Sequence, residues 1–353
     1  MTRPADTGPD HRPKGRGPYG LILLLLGGLL LAALLAATGM GYMKIPPGKV
    51  LEMIFAVISH PHGGRQALDP VLGAVLFDVR LPRILTAAMV GGGLALSGVV
   101  FQGILLNPLA DPYTLGVSSG AAFGAALALL LNFTFWGAYS ITACAFVGAL
   151  LTLFLVLRLA GSDSLGLSSG NLILAGVIIA AILAAGISLI KFLADEQVSV
   201  IIFWLMGSFA SKTWADLLLV SVFSIPGMLL IIFYARELNL LSLGPRAAAS
   251  LGVDTHRVTA LLLVSATLVA AACVAVSGIV GFVGLLIPHL VRGLVGPDNR
   301  RLAPAAFLAG ALLLLCADTT TRAILPREVP IGVLTALIGG PFFCWIYQRK
   351  LRR

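Results

Sequence analysis

Charged residues are scarce in this sequence, and their scarcity excludes an ordinary soluble fold. Only 11% of the 353 residues are charged and 58% are hydrophobic, which gives a mean hydropathy of +1.00. Soluble domains carry about 25% charged residues. Apolar runs of about twenty residues recur along nearly the whole chain, and each can cross a hydrocarbon core roughly 30 Å thick as a helix. We therefore predict a membrane protein with many spans.

The few cysteines and histidines give no sign of a disulfide framework or a metal site. All four cysteines lie inside apolar runs, where we expect small buried side chains. They are Cys144, Cys273, Cys316 and Cys344. His60 and His62 lie near Asp69 and Asp78, but their spacing matches no trustworthy metal-ligand pattern. We expect no metal and no other cofactor.

Motifs for ATP hydrolysis and for metalloprotease chemistry are absent. The sequence has neither a G-x-x-x-x-G-K-[ST] phosphate loop nor an H-E-x-x-H zinc motif. Any ATP must therefore be hydrolysed by another chain, and we predict that this chain is not an enzyme. The net charge of +9 comes from basic residues scattered over short loops, which favours a role in membrane orientation over nucleic-acid binding.

Long apolar segments are what the sequence has in abundance, and they predict an all-α polytopic membrane protein of about ten transmembrane helices. A transmembrane barrel would show shorter segments of alternating polarity, whereas residues 21–37 are apolar on every face. The predicted spans are 21–42, 82–104, 114–132, 138–159, 170–192, 214–234, 258–277, 280–295, 302–321 and 330–347.

The spans form a single membrane domain, residues 21–347, between a polar tail (1–20) and a basic tail (348–353). An even number of spans places both tails on one side of the membrane. Basic residues favour the cytoplasmic side, so Arg349, Lys350 and the arginines of the first tail predict that both termini are cytoplasmic. The first apolar run is too long for a cleaved signal and is predicted to remain as a helix.

Three connecting segments are longer than simple turns. Residues 43–81 and 193–213 are predicted to lie on the external side. Each contains a candidate short helix, Pro46–Phe55 in the first and Val198–Met206 in the second. The third segment, 235–257, is predicted to be cytoplasmic and carries the clearest local pattern.

Residues Leu243 to Gly252, within the cytoplasmic segment 235–257, predict a short helix. Pro245 suits the first helical position, and Gly252 suits the C-terminal cap. The surface of this helix is small and mildly basic, which suits docking into a groove of a soluble partner. From the residues alone, a solvated connector is the alternative.

The segment Gln102 to Gly120 interrupts the apolar sequence with two X-Pro pairs and with Asn107 and Asp111. Irregular backbone at membrane depth is tolerated only where it is buried in protein or lines a cavity. These residues are consistent with a gate or pathway lining and equally with an ordinary cytoplasmic turn.

A weak internal repeat joins Ala95–Pro108 to Ala275–Pro288, which are identical at seven of fourteen positions. The copies begin in the second and seventh predicted spans, so they would cross the membrane in opposite directions. Inverted repeats of this kind build the two halves of many transport pathways. Chance similarity between small-residue helices is the alternative.

Asp318 and Arg322 lie four residues apart near one end of the ninth span, a spacing that permits an ion pair on one helix face. An intramembrane carboxylate suggests function, for example in a proton relay. Because this acid has a basic neighbour, we predict a structural role for it.

Together, six motifs resemble the FecCD permeases, which are membrane subunits of ATP-binding-cassette (ABC) importers for ferric siderophores, haem and vitamin B12. The resemblance runs from about residue 20 to the C-terminus, and the order of the motifs carries it more than any single one. The motifs are DVRLPR (78–83), NPLADPYTLGVSS (107–119), SLGV (250–253), GFVGLLIPHLVR (281–292), AD (317–318) and PIGV (330–333).

The resemblance implies a homodimer in a bacterial cytoplasmic (inner) membrane, with two ATPase subunits at the cytoplasmic face and a substrate-binding protein that docks from outside. The substrate would be a ferric siderophore first, then haem or a corrinoid. It would cross at the dimer interface by alternating access, as the ATPases switch the pathway between outward and inward openings.

The same resemblance implies roles for individual residues. Arg80 and Arg322 resemble the basic residues that face acidic side chains of the binding protein. Asn107 and Leu109 resemble the cytoplasmic gate. The helix that couples to the ATPase would comprise Leu243, Gly244, Pro245, Arg246, Ala247, Ala248, Ala249, Ser250, Leu251 and Gly252.

Two other classes of function remain as alternatives at this stage. A secondary transporter driven by an ion gradient would use the inverted repeat and Asp318, but it leaves the coupling-like helix without a purpose. A purely structural membrane subunit would need neither a gate nor a docking surface.

Overall fold

A computed structural model describes residues 19–41, 43–60, 68–137, 139–161, 168–323 and 328–351. Within these ranges the chain is mostly helical and contains no β-strand. Most of the predicted polar tail, the end of the basic tail and the loop with His62 lie outside the described residues.

The helices of the first half follow one another with short connections. They are α1 (Tyr19–Gly39), α2 (Pro47–Ser59), α3 (Pro70–Ala74), α4 (Leu81–Ile104), α5 (Val117–Leu130), α6 (Tyr139–Ala160) and α7 (Ser169–Leu193). A π-helical turn, Val75–Arg80, joins α3 to α4, and a 3-10 turn, Asp195–Gln197, follows α7.

The second half begins with a helix too short to cross a membrane and ends with the helices of four predicted spans. Its helices are α8 (Val198–Leu205), α9 (Trp214–Phe233), α10 (Ala235–Leu241), α11 (Pro245–Ser250), α12 (Thr255–Ser277), α13 (Val283–Val295), α14 (Asn299–Ala323) and α15 (Ile331–Leu351).

Ten apolar helices of the described chain correspond to the ten predicted spans, which confirms the all-α polytopic fold. Seven are long enough to cross a membrane: α1, the continuous helix Pro70–Ile104, α6, α7, α9, α12 and α14. The other three are α5, α13 and the apolar part of α15, Ile331–Cys344. At 1.5 Å per residue, α5 and α13 are only about 20 Å long, so neither crosses the full hydrocarbon core as a helix.

The second span begins earlier than the apolar run indicates, because helical structure already starts at Pro70. Oδ1 of Asp69 accepts hydrogen bonds from the main-chain N–H groups of Val71 and Leu72, at 2.9 and 3.1 Å. Asp69 therefore caps the helix, and Pro70 occupies a first-turn position where no N–H is needed. The predicted loop 43–81 is thus partly helical.

Helix α4 lies at the centre of the bundle, with almost every residue buried. Its glycines let neighbouring backbones approach closely, as expected for helices packed in lipid. A Cβ at Gly91 would lie 2.3 Å from the carbonyl oxygen of Gly310 in α14, and one at Gly98 would lie 1.8 Å from that of Gly284 in α13. Gly91 and Gly98 therefore serve close packing between helices.

Parts of the two repeat copies touch each other but differ in backbone structure. Nε2 of Gln102, in the first copy, donates to the carbonyl oxygen of Leu285, in the second, at 3.1 Å. Gly98 lies inside α4, whereas the equivalent Gly278 ends α12 with φ of +72°. Each copy still joins a long buried helix to a short one, α4 to α5 and α12 to α13.

Burial of the cysteines follows the prediction only in part. Cys273 is buried and Cys144 is half-buried, but Cys316 and Cys344 are exposed on the surface of the single chain. Apolar sequence predicts residence in the membrane, and it does not distinguish a side chain facing the bundle from one facing lipid. All four are free thiols.

Candidate functional site

The bundle has two chemically different ends. The Arg80 end contains Arg80, the last turns of α1 and α14, and the start of α15. The Asn107 end contains the α4–α5 connection with Asn107, together with α10 and α11. The residues predicted for docking and those predicted for gating and coupling therefore lie at opposite ends.

Arg80, predicted to face a binding protein, is only 4% exposed. Its Nη1 donates to the carbonyl oxygen of Thr38 at 2.6 Å, and its Nη2 donates to that of Met43. A Cβ on Gly41 would lie 2.9 Å from Nη2, so only glycine leaves room for this arrangement. Arg80 thus holds the chain that follows α1 in place.

Arg322, the second predicted docking residue, lies beside Arg80. Its Nη2 donates to the carbonyl oxygen of Ala37 at 2.8 Å, and its Nη1 would be 3.2 Å from a Cβ on Gly41. The structure therefore brings the two arginines together around the end of α1. Arg322 is half-buried and less enclosed than Arg80.

The predicted pair of Asp318 with Arg322 is wrong, because Asp318 binds Arg83 instead. Nε and Nη2 of Arg83 donate to Oδ2 and Oδ1 of Asp318 at 3.0 and 2.9 Å. Helices α4 and α14 pack along each other and bring Arg83 opposite Asp318, while Arg322 reaches towards α1. Sequence reasoning missed Arg83 as a site residue, although it lies one turn after Arg80 in the DVRLPR motif.

Glu328, in the α14–α15 connection, completes the group. Nη1 of Arg83 lies 3.0 Å from Oε1 and 3.1 Å from Oε2 of Glu328. The side chain of Glu328 is 49% exposed, in contrast to 1% for Asp318. We call Arg80, Arg83, Arg322, Asp318 and Glu328 the arginine cluster; it carries three positive and two negative groups.

At the opposite end, the two predicted gate residues are linked by a hydrogen bond. Helix α4 ends at Ile104, and Leu106 adopts a left-handed φ of +51°. Oδ1 of Asn107 then accepts from the main-chain N–H of Leu109 at 3.0 Å, forming an Asx-type turn. The turn presents the Leu109 side chain at the surface.

The rest of this connection is packed into the bundle. A Cβ on Gly284 would lie 3.2 Å from Cδ of Pro112, and one on Gly116 would lie 3.2 Å from the carbonyl oxygen of Gly176 in α7. Oδ1 of Asp111 accepts from the main-chain N–H of Thr114 at 3.1 Å. The connection is therefore packed against neighbouring helices rather than exposed as a simple turn.

A cavity of about 370 Å³ separates the gate turn from the predicted coupling segment. Its lining includes Asn107, Ser242, Leu243, Gln102 and Arg292. Nη1 of Arg292 in α13 donates to Oε1 of Gln102 in α4 at 3.0 Å.

Helix α11 forms within the predicted coupling segment and is bounded by glycines with positive φ, Gly244 at +102° and Gly252 at +85°. Ala248 faces inward and is fully buried. Leu243 and Leu251, at either end, are 66% and 59% exposed. Exposed leucines on a short rigid helix suit contact with another protein.

The preceding helix α10 was not predicted, and it ties the coupling segment to α14. Nδ2 of Asn239 donates to Oδ1 of Asp298, and Oδ1 of Asn239 accepts from the main-chain N–H of Asn299, both at 2.7 Å. We call this the Asn239 clasp. A lone asparagine among mixed residues gave no signal by which sequence reasoning could find it.

The chain is similar to known membrane transport proteins along nearly its whole length. The FecCD transport family matches residues 29–349. The chain is 39% identical to the molybdate import permease MolB of Haemophilus influenzae, with 98% of each chain covered. It is 37% identical to the hemin permease HmuU of Yersinia pestis, covering 93% of this chain and 96% of that protein.

A solved structure supports the same assignment. It is described as an inward-facing ABC transporter of the metal-chelate type and is 38% identical to this chain, with a TM-score of 0.81 and coverage of 94% and 100%. Relatives of this family are transport components rather than enzymes, as predicted here. The chain therefore belongs to the FecCD transport family and is a permease subunit of an ABC importer.

Proposed function

We propose that this permease imports a metal chelate by alternating access at a homodimer interface. A ferric siderophore is the favoured substrate, followed by haem and a corrinoid. The observation that carries the proposal is the separation of two specialised ends on one closely packed pair of helices. Helices α4 and α14 together hold the arginine cluster at one end and adjoin the gate turn and the Asn239 clasp at the other.

The Arg80 end is proposed to face outward and the Asn107 end to face the cytoplasm of a bacterium. Arg300 and Arg301 at the start of α14, and the basic residues after α15, favour that orientation by the positive-inside rule. Both termini are then cytoplasmic, and the polar and basic tails flank a single domain, 21–347.

The arginine cluster is the proposed docking site for acidic side chains of a substrate-binding protein. Its three guanidinium groups exceed its two carboxylates by one positive charge. Complementary charge at an interface mainly speeds encounter and fixes register. Arg322 offers the more accessible guanidinium of the cluster, while the buried Arg80 and Arg83 shape it from within.

The Asn107 end is the proposed site of gating and energy coupling. In this proposal the ATPase binds α11 through Leu243 and Leu251, and its closure on ATP moves α10 and α11 together. The turn of Asn107 and Leu109 forms the cytoplasmic gate beside that segment. The cavity of about 370 Å³ between them accommodates the movement.

The substrate class is inferred from the range of relatives. Their names include molybdate, hemin and cobalamin import systems and an Fe(3+)-citrate import system of Bacillus subtilis, which is 34% identical to this chain. These substrates share a metal centre and otherwise differ widely in size. A pathway of this kind selects weakly, so specificity is proposed to rest with the binding protein.

Secondary transport driven by an ion gradient is a weaker hypothesis than ATP-driven import. Its two supporting features were the inverted repeat and the intramembrane carboxylate of Asp318, but Asp318 accepts hydrogen bonds from two donors of Arg83. An acid with a paired guanidinium has a structural role more often than a relay role. The exposed helix α11 also has no purpose without an ATPase.

Uptake of a labelled ferric siderophore into proteoliposomes tests the proposal. The vesicles hold the permease with its candidate ATPase facing the lumen, where ATP is enclosed, and the binding protein is added outside. We expect transport only with ATP on the ATPase side. Transport driven by a proton gradient without ATP would establish the secondary-transport mechanism instead, and ATP-driven uptake of haem or a corrinoid alone would revise the substrate.

A matched pair of variants tests the coupling role of α11. Leu251→Asn replaces an exposed apolar side chain with a polar one. We expect it to reduce both the co-purification of the ATPase and ATP-driven uptake. Leu131→Asn, at an equally exposed leucine of the opposite end, is expected to leave co-purification unchanged. Equal effects of both variants would contradict the assignment of α11.

A further inference from the structure

The guanidinium of Arg83 divides its donors between two carboxylates with very different surroundings. Nε and Nη2 bind Asp318, whose side chain is 1% exposed. Nη1 alone binds Glu328, whose side chain is 49% exposed. One side of the guanidinium is therefore fixed inside the bundle, and the other side binds a carboxylate that reaches the surface.

These two contacts differ in how easily they are replaced. Breaking a buried ion pair strongly destabilises a protein, because an uncompensated charge remains inside. An ion pair with a half-exposed partner contributes little, since water can solvate the released carboxylate. Glu328 can therefore leave Nη1 at little cost, provided that another carboxylate takes its place on the enclosed Arg83 nitrogen.

The other two arginines of the cluster bind neutral groups. The donors described for Arg80 and Arg322 go to main-chain carbonyl oxygens of residues 37–43. An incoming carboxylate is attracted by the net positive charge, but it meets a like charge at Nη1 while Glu328 is bound there. Two carboxylates cannot share that position without repulsion.

We propose that Glu328 is an internal stand-in for an acidic side chain of the substrate-binding protein, and that docking exchanges one carboxylate for the other on Nη1 of Arg83. Glu328 keeps Arg83 paired while no partner is bound, and it competes with the partner for the same donor. The inference rests on the docking role proposed for the arginine cluster.

Glu328 lies just before a fixed part of the chain, so only a short segment can move during the exchange. Three residues later, the main-chain N–H of Ile331 donates to the carbonyl oxygen of Gly207 at 3.1 Å, and that of Gly332 donates to Met206 at 3.0 Å. These bonds anchor the start of α15 to the end of α8. The exchange thus requires the Glu328 side chain to swing away, while α15 stays in place.

The test measures binding to the complete transporter, permease with ATPase in lipid nanodiscs, of the binding protein that supports uptake in the proteoliposome experiment. Glu328→Gln removes the competing charge and leaves an amide oxygen that still accepts from Arg83. Because an exposed ion pair is weak, the expected result is a dissociation constant lower by about two- to fivefold. Glu196→Gln, at an exposed acid of the same end, removes the same charge elsewhere and is expected to change nothing.

Any other outcome contradicts the proposed exchange of carboxylates on Arg83. An unchanged or higher dissociation constant for Glu328→Gln means that Glu328 does not compete. An equal gain from Glu196→Gln means that general surface charge is responsible. If the wild-type transporter takes up substrate but Glu328→Gln shows no gain, only this inference fails. If no binding protein supports uptake or binds the wild type, the proposed docking fails and the exchange with it.

Discussion

At the scale of single residues, the contact between Arg83 and Asp318 makes a strong prediction. Asp318→Asn leaves a buried guanidinium with a weaker partner, and loss of one member of a buried ion pair typically lowers the free energy of unfolding by 3–5 kcal/mol. Because Glu328 remains on Nη1, we expect the lower end, about 3 kcal/mol. Thermal or denaturant unfolding of the purified permease measures the loss.

Glu328→Gln is the natural comparison, since it changes the second carboxylate on the same guanidinium. Its partner is half-exposed, so the expected loss of unfolding free energy is at most about 1 kcal/mol. Similar losses for Asp318→Asn and Glu328→Gln would contradict the division of Arg83 into a buried and an exchangeable side.

Gly98 offers a second prediction at this scale. A Cβ there would meet backbone atoms of Gly284 at 1.8 to 2.8 Å, so Gly98→Ala forces α13 away from α4. Overpacking of this kind lowers the free energy of unfolding by about 1–3 kcal/mol. Unfolding measured in the same detergent checks the value.

Gly293 in α13 provides the matched control, because a Cβ at this position meets no atom within 4 Å. In a helix interior, alanine is more favourable than glycine by up to about 1 kcal/mol. Gly293→Ala is therefore expected to be neutral or stabilising, and a loss as large as that of Gly98→Ala would refute the packing argument.

At the scale of the elements, the apolar runs predicted the spans well. Each span needs about twenty apolar residues, and this requirement is local in sequence. Pro245 and Gly252 likewise predicted α11, because their backbone preferences are local. The early start of the second span was missed because its signal, the Asp69 cap, lies among residues that do not form an apolar run.

Side-chain partners were the less predictable part of the site. The spacing of Asp318 and Arg322 suggested a local pair, yet Asp318 binds Arg83, 235 positions away in sequence. The packing of α4 on α14 decides that choice, and a single sequence does not specify it. The Asn239 clasp was missed for the same reason, since all its geometry comes from tertiary contact.

The Asn239 clasp carries a prediction of its own. Because Asn239 joins α10 to the first residues of α14, Asn239→Ala is expected to uncouple the ATPase from transport. ATP hydrolysis should continue while uptake per ATP falls several-fold, as measured in proteoliposomes. Asn132→Ala breaks a comparable bond, with Gln197 at the Arg80 end, and is expected to keep normal coupling. Equal loss in both variants would refute the role of the clasp.

The pH dependence of the clasp follows from Asp298. Burial raises the pKa of this carboxyl, but hydrogen bonds from Asn239 and Arg300 and the charge of Arg300 outweigh it, so the pKa lies below its usual 3.8. A carboxyl whose pKa is lower in the folded state than in the unfolded state stabilises the fold at pH values above its unfolded pKa. This contribution to stability is lost as the pH falls through the folded pKa. The stability difference between wild type and Asp298→Asn should stay constant from about pH 8 to pH 5 and shrink below about pH 4.

At the scale of the whole molecule, α7 presents an unusual surface. Most of α7 is exposed in the single chain, and one exposed face carries small residues at helical spacing. These are Ala181, Ala184, Ala185 and Ser188. Small side chains let helices approach closely in lipid, where apolar burial alone drives no association. We therefore expect this face to contribute to the contact between two permease copies.

Ala185→Phe tests that contact. A bulky ring in a close helix contact keeps the backbones apart, so the dimer fraction in native mass spectrometry should fall at least severalfold while the monomer unfolds at the same temperature. Ala32→Phe places the same ring on the exposed face of α1, which is expected to face lipid and to leave the dimer intact. If the dimer persists in Ala185→Phe, the copies meet through another surface. The pathway between them must then be sought away from α7.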